Sequence, residues 1–190
     1  MILDQMKQPP AAAPEPSAPP PVIVTERFSL RPLRRSDAGL LAHYSGDVRV
    51  ARMTTAIPHP LPPGATEAYI ARAADPKRSE EVWAMDASAH DGAEVMGVIS
   101  LERMDRNQSE IGYWVAPPYW NTGLASEALR ALVEANPYGS ATMFASVFQD
   151  NPASARVLTN CGFEYIGDAE AFSVARNAKV PTWTYLRRMG

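Results

Sequence analysis

The spacing of apolar residues along the chain predicts strands alternating with helices after a proline-rich beginning. Short runs that are apolar or alternate with polar residues predict strands, and they fall at residues 28–33, 82–85, 95–101, 110–115, 142–148, 163–166 and 180–187. Apolar residues three and four positions apart predict helices, over 38–44, 66–73, 124–135 and 152–161. This order of elements predicts an α+β or mixed α/β fold built on a mixed sheet.

Residues that end or join elements support these boundaries. Asn151 is a candidate N-cap, Pro152 suits the first helical position, and Gly162 lies where a left-handed residue commonly ends a helix. Asp91-Gly92 predicts a hairpin turn, and residues 104–109 are predicted to form a polar loop.

The first 21 residues differ in composition from the rest of the chain. Seven of the 18 prolines lie between Pro9 and Pro21, mixed with alanine. Such a segment buries too little apolar surface to offset its ordering entropy, so we expect residues 1–21 to be a disordered or extended tail. Residues 22–190 then form one folded domain.

The overall composition excludes several classes of function. Hydrophobic residues make up 46% and charged residues 21% of the 190-residue chain, as in an ordinary globular protein. A net charge of −3 without a basic run argues against nucleic-acid binding, and no apolar stretch approaches a membrane span. The single cysteine and the lack of a targeting pattern favour the cytoplasm. Histidine, cysteine and carboxylate residues show no metal-ligand spacing, so we expect no metal.

The most informative stretch links the predicted strand 110–115 to the helix that starts near Leu124. It reads Trp-Asn-Thr-Gly-Leu-Ala from Trp120 to Ala125. Small residues at Gly123 and Ala125 allow a ligand to approach the backbone closely. The start of the helix directs unpaired N–H groups and a partial positive charge into the loop, which suits an anion.

This stretch resembles the acyl-CoA loop of the GNAT superfamily of N-acetyltransferases, which usually reads Gln/Arg-x-x-Gly-x-Gly/Ala. Here Trp120 replaces the polar first residue. The flanking Tyr-Trp and Ala-Ser-Glu-Ala residues resemble the branch that acetylates the N-termini of ribosomal proteins, as do residues 25–38. A second stretch, Asn-x-x-Ser from Asn151 to Ser154 followed by Gly162-Phe163, also resembles the superfamily.

The resemblance implies a central mixed, mostly antiparallel sheet of about seven strands, flanked by about four helices. It also implies acetyl-CoA as co-substrate. The residues expected to bind it by this resemblance are Val115, Trp120, Asn121, Thr122, Gly123, Leu124, Ala125, Ser126, Asn151 and Ser154.

Acetyl transfer to an amine needs a base for the amine proton, and the leaving thiolate benefits from an acid. Glu110, at the start of the strand before the loop, is the candidate base, and strand alternation places it on one face with Gly112 and Trp114. Glu127 is a competitor whose place in a first helical turn better suits compensation of the helix dipole. The acid is less clear, because Leu158 occupies the position where many relatives have tyrosine. Ser154 is the remaining hydroxyl of that motif, although helix-start hydrogen bonding explains it equally well.

Two functions stay open at this point. The first is an N-acetyltransferase that moves acetyl directly to a primary amine, either a protein N-terminus or a small molecule. A pocket lined by acidic residues would favour a cationic acceptor. The alternative is a catalytically silent acyl-CoA-binding module. It is suggested by Trp120 and Leu158, which replace the usual polar loop residue and the usual tyrosine. The sequence leaves a monomer and a homodimer equally open.

Overall fold

The strand that leads into the Trp120 loop lies near the centre of a single eight-stranded sheet. The computed structural model describes residues 18–190. The order of strands in the sheet is β1-β2-β3-β4-β5-β6-β8-β7. In chain order the strands are Ile23–Val24 (β1), Ser29–Pro32 (β2), Glu80–Asp86 (β3), Gly97–Met104 (β4), Gln108–Val115 (β5), Thr142–Phe148 (β6), Glu164–Ser173 (β7) and Ala178–Arg188 (β8). All neighbouring pairs are antiparallel except β5 and β6, which are parallel.

Five α-helices accompany the sheet in the described part of the chain. They are Ala38–Ser45 (α1), Val48–Ala51 (α2), Ala65–Ala73 (α3), Leu124–Ala135 (α4) and Pro152–Asn160 (α5). The helix α5 begins as its sequence predicts, since the Asn151 side chain accepts a hydrogen bond from the backbone N–H of Ser154 and Pro152 is the first helical residue. Gly162, just beyond it, has φ of 80°.

Both faces of the sheet are covered, so the protein has two cores. On one face, α4 and α5 pack through Leu129, Leu132 and Leu158 onto the sheet. On the other face, Leu41 of α1 and Ile70 of α3 pack onto β3 and β4. This layering explains the nearly continuous apolar sequence of the inner strands.

The two parallel strands separate after a short pairing, and this opens the sheet. β5 and β6 pair only from Gln108 to Glu110 on β5 and from Thr142 to Phe144 on β6. Beyond that point each strand continues for at least four residues without pairing with the other. The split leaves a gap at the end of β5, directly before the Trp120 loop.

The structure confirms the predicted α+β class and the mixed, mostly antiparallel sheet, with three differences. The two-residue β1 and the one-turn α2 were not predicted, because each is too short to show a periodic pattern of apolar residues. The predicted polar loop at 104–109 shortens to a turn at 105–107, because Arg106 and Asn107 adopt left-handed φ values of 59° and 57° and close a tight hairpin. Ala135, predicted on the apolar face of α4, is exposed at the helix end.

Most of the predicted tail, residues 1–17, lies outside the described residues. The next four residues run beside β3. The carbonyl oxygen of Ala18 accepts a hydrogen bond from Arg78 at 2.6 Å, and that of Pro21 accepts one from the Trp83 indole at 2.8 Å. Residues 18–21 are therefore attached to the folded domain.

Candidate active site

A cavity of about 520 Å³ opens where β5 and β6 separate. The end of β5, the loop before α4, and the first turns of α2 and α5 form its walls. The structure brings together here all ten residues predicted to bind the cofactor, which are Val115, Trp120, Asn121, Thr122, Gly123, Leu124, Ala125, Ser126, Asn151 and Ser154. Three arginines, Arg49, Arg52 and Arg156, also line it, and no Asp or Glu is among its described lining residues. We call it the cationic cavity.

The loop before α4 has the backbone geometry that its small residues predict. Gly123 is the N-cap of α4 with φ of 78°, a left-handed conformation that costs other residues more than glycine. Asn121 also has a positive φ, of 60°. No side chain caps the helix, and the N–H groups of a first helical turn have no partner inside the helix. The loop can therefore direct these donors towards an anion.

Arg27 braces the outer side of this loop. Its guanidinium donates to the carbonyl oxygen of Thr122 at 2.9 Å and to the Glu127 carboxylate at 2.6 Å, and its backbone N–H also donates to Glu127. Partial burial pushes the pKa of Glu127 up, but the hydrogen bonds from Arg27 outweigh it and lower that pKa. Glu127 is thus a structural partner of Arg27, with its carboxylate already engaged.

Asn151 and Ser154 bond to each other at the start of α5. The Asn151 amide nitrogen donates to Ser154 Oγ at 3.0 Å, while Asn151 Oδ1 accepts from the backbone N–H of Ser154 at 3.3 Å. A hydroxyl that accepts one hydrogen bond still has its own proton to donate. Ser154 therefore combines a structural role with a hydroxyl on the wall of the cationic cavity. Leu158 is fully buried in the core and leaves no polar group at its position.

A second cavity of about 960 Å³ lies beside the first, between the sheet and the segment from α1 to α3. Glu80, Glu102 and Glu110 line its sheet wall from β3, β4 and β5, and the charged residues Arg72, Asp75, Lys77 and Arg78 also line it. Glu80 is opposite Glu102 and Glu102 is opposite Glu110 in the strand registers, so the three carboxylates form a row. Burial raises the pKa of Glu110, and the charges of Glu102 and Glu80 raise it further. We call this the acidic cavity.

The two cavities meet at three residues that line both, Met53, Tyr113 and Trp114. Glu110 itself lines only the acidic cavity and the loop residues line only the cationic one. Tyr113 donates from its hydroxyl to the carbonyl oxygen of Ser154 at 3.0 Å, which ties β5 to the first turn of α5. Burial raises the pKa of Tyr113 and keeps this hydroxyl protonated. A group bound in one cavity can therefore reach a group bound in the other beside β5.

Sequence reasoning missed several residues of these cavities. Glu102 becomes predictable once the hairpin is recognised, because the Asp105–Asn107 turn sets the register that pairs it with Glu110. Met53 and Arg49 come from the segment around the one-turn helix α2, which has no periodic signal. Tyr113 belongs to the predicted strand, but its partner Ser154 is 41 residues away.

Arg31, for which the sequence suggested no role, is part of the scaffold. It is buried and bonds to Asp37, at 2.9 Å from both carboxylate oxygens, and to Asp86. These bonds join β2, the turn before α1 and the end of β3. Among residues 18–190, no cluster of three or more His, Cys, Asp and Glu could hold a metal ion, and no helix is long and apolar enough to span a bilayer.

Comparison with known proteins places this fold and site in a family. Residues 27–164 match the model of the acetyltransferase (GNAT) domain. The chain therefore belongs to the GNAT acetyltransferase family, which confirms the resemblance of the Trp120 loop and the Asn151 motif.

Two similar proteins are uncharacterized N-acetyltransferases of bacilli. YoaA of Bacillus subtilis (strain 168) is 35% identical over 81 residues, a match that covers 40% of this chain and 46% of YoaA. The protein p20 of Bacillus licheniformis is 24% identical over 177 residues, which cover 86% of this chain and 93% of p20.

Solved structures share the fold at low sequence identity. RimJ of Mycobacterium smegmatis, in complex with a CoA disulfide, has a TM-score of 0.75 at 18% identity, and the match covers 89% of this chain and 88% of RimJ. The microcin C7 self-immunity acetyltransferase MccE, in complex with acetyl-CoA and AMP, has a TM-score of 0.74 at 13% identity, covering 86% and 93%. Spermidine N-acetyltransferase of Vibrio cholerae, in complex with CoA and spermine, has a TM-score of 0.71 at 14% identity, covering 86% and 96%.

Proposed function

We propose that this protein is an acetyl-CoA-dependent N-acetyltransferase that moves acetyl directly to a primary amine. The observation that carries the proposal is that the cationic cavity adjoins a second cavity whose sheet wall holds a row of three carboxylates. CoA carries several phosphate charges, and the cationic cavity offers a helix start and three arginines but no described carboxylate. A protonated amine suits the acidic cavity.

Each side of the reaction then has residues of this chain assigned to it. The loop from Trp120 to Ser126 holds the phosphates, and Val115, Asn151 and Ser154 line the path of the pantetheine arm. Glu110 takes the amine proton, through a water molecule, and Ser154 donates a proton to the leaving thiolate. Orientation of the amine against the thioester supplies much of the rate, since such effects can reach about 7–11 kcal/mol.

The row of Glu80, Glu102 and Glu110 on the sheet wall of this cavity supports a cationic amine as the acceptor. A carboxylate row attracts an ammonium group but also stabilises its proton. The same row raises the pKa of Glu110, which makes Glu110 a stronger proton acceptor. We therefore propose that the acceptor is a polyamine-like small molecule or a protein N-terminus, in either case with positive charge besides the reacting amine. Spermine in the complex of the Vibrio cholerae spermidine N-acetyltransferase is one amine of this kind.

The test is thiol release from acetyl-CoA against a panel of amines. The panel contains peptides with free N-termini, polyamines and aminoglycosides, each with a neutral amine of similar size as control. Amine-dependent release that favours the cationic members is the expected result. Tight binding of acetyl-CoA in calorimetry without release on any amine would count against catalysis and favour a silent acyl-CoA-binding module.

A further inference from the structure

The Trp120 loop has one unusual contact, an arginine that lies over its first residue. Arg49 belongs to the one-turn helix α2, far from Trp120 in sequence. Its guanidinium carbon is 5.5 Å from the centroid of the Trp120 ring. Both residues line the cationic cavity. An arginine can stack on an aromatic face and still present its N–H groups at the edge to an anion.

Trp120 itself has no polar group left for a ligand. The only polar atom of the Trp120 side chain, the indole nitrogen, donates to the carbonyl oxygen of Val115 at 2.6 Å. Related acyl-CoA loops usually have glutamine or arginine at this position, so the donor normally supplied there must come from another residue. Arg49 lies at this place and supplies both a charge and several donors.

Of the three arginines of the cationic cavity, all of them exposed, Arg49 is the one that lies over Trp120. Its guanidinium pairs with Asp47 at 2.7 Å, two residues away, and 60% of its side chain is exposed. Exposed pairs of this kind contribute little. Arg52, in contrast, lies 3.6 Å from Asp150, a carboxylate that also pairs with Arg176. Phosphate oxygens accept charge-assisted hydrogen bonds from a guanidinium as carboxylate oxygens do, so a phosphate can compete with Asp47 for Arg49.

We propose that Arg49, which lies over the Trp120 ring, binds a phosphate of the CoA moiety and replaces the polar residue missing from position 120. This inference rests on the proposed function, because it needs CoA in the cationic cavity. In the free protein the Asp47 carboxylate forms an ion pair with the Arg49 guanidinium. When CoA binds, its phosphate takes over those N–H donors while the Trp120 ring keeps the guanidinium in place.

The first experiment measures the Kd of CoA by calorimetry for the wild type and Arg49→Gln. We expect the variant Kd to be about tenfold higher, as for the loss of one charge-assisted hydrogen bond. The wild-type Kd should rise more steeply with salt than that of the variant. Arg103→Gln is the matched control, since exposed Arg103 also stacks on an aromatic ring, Tyr138 at 4.2 Å, outside the cationic cavity.

A second variant separates phosphate binding from a structural role of the Asp47–Arg49 pair. Asp47 is the N-cap of α2, and serine caps a helix as well. Asp47→Ser therefore keeps the cap, frees Arg49, and should lower the Kd of CoA. If Arg49→Gln and Asp47→Ser both raise the Kd, the pair only maintains α2 and the proposal is overturned.

The same titrations with 3′-dephospho-CoA identify the phosphate. A loss of the Arg49→Gln effect with this ligand assigns Arg49 to the 3′-phosphate, whereas an unchanged effect assigns it to the pyrophosphate. If the Kd of CoA for Arg49→Gln stays within about twofold of the wild-type Kd, the proposal is refuted. A twofold change in Kd corresponds to a binding free energy difference of about 0.4 kcal/mol. Wild-type protein that does not bind CoA would instead refute the proposed function.

Discussion

The two cavities place different charges beside the one strand, β5, that contributes to both. Its first half carries Glu110 into the acidic cavity, and its last residues, Tyr113 to Val115, line the cationic cavity. In the acidic cavity three carboxylates stand in a row across neighbouring strands. In the cationic cavity a helix start and three arginines surround the loop.

This difference shows how one sheet can bring together two reactants of opposite charge. The arginines and the helix start favour an anionic ligand in one cavity, and the carboxylate row favours a cationic group at the sheet wall of the other. The reactants then meet only at Met53, Tyr113 and Trp114, where the cavities join. Variants that alter one cavity should therefore leave ligand binding in the other nearly unchanged.

The largest expected effect is on the cationic cavity. Gly123→Asp puts a side chain at a left-handed φ of 78° and a carboxylate beside Arg27, which braces the loop, so both the geometry and the positive charge at the start of α4 are disturbed and the Kd of acetyl-CoA should rise by about 100-fold or more. Gly139→Asp is the matched control, because Gly139 also has a positive φ, of 60°, and is exposed outside both cavities. Calorimetry with both variants checks this, and equal affinity for the two would remove the loop from cofactor binding.

The next effect is on the chemistry in the acidic cavity. Glu110→Gln removes the proposed base but keeps the shape of the side chain, so kcat should fall about 10- to 100-fold while the Kd of acetyl-CoA stays the same. Because the pKa of Glu110 is raised, wild-type activity should decline on the acid side at higher pH than an ordinary glutamate would give. This decline on the acid side of the pH–rate profile should disappear in the Glu110→Gln variant. An unchanged pH–rate profile would exclude Glu110 as the base.

A smaller effect is expected at Ser154, on the wall of the cationic cavity. Ser154→Ala removes the proposed acid but keeps the backbone N–H that Asn151 caps. We expect kcat to fall about tenfold, as for a modest general-acid contribution. Acetyl thioesters of more acidic thiols should restore the rate, because their thiolates leave without a proton. Thr159→Ala, which removes an exposed hydroxyl from the same helix, serves as control. An equal loss with every thioester would contradict the acid role.

The smallest effect sharpens the contrast in charge. Glu102→Gln removes a negative neighbour of Glu110, so the pKa of Glu110 should fall and the acid limb of the pH–rate profile should move to lower pH. The KM for a cationic amine should rise a few-fold while the KM for acetyl-CoA stays unchanged. Glu134→Gln, on the exposed side of α4, is the control. A limb that does not move would show that the carboxylate row does not act on Glu110.

Local signals predicted much of the fold. The boundaries of β6 and the cap of α5 agree with the sequence because each depends on nearby residues, such as the Asn151 side chain and the Ser154 N–H. The hairpin at Arg106 and Asn107 was missed because its left-handed residues include an arginine, which rarely indicates this turn.

The sequence by itself determined the two motifs, the class of the fold and the ten residues around the Trp120 loop, because these depend on short-range patterns and on the resemblance they carry. Only the tertiary structure decided which distant charges join them. Glu80 and Glu102 meet Glu110 through strand register, and Arg49 meets Trp120 through packing of α2 against the loop. Such contacts depend on how separate elements pack in three dimensions, which no spacing within one segment records.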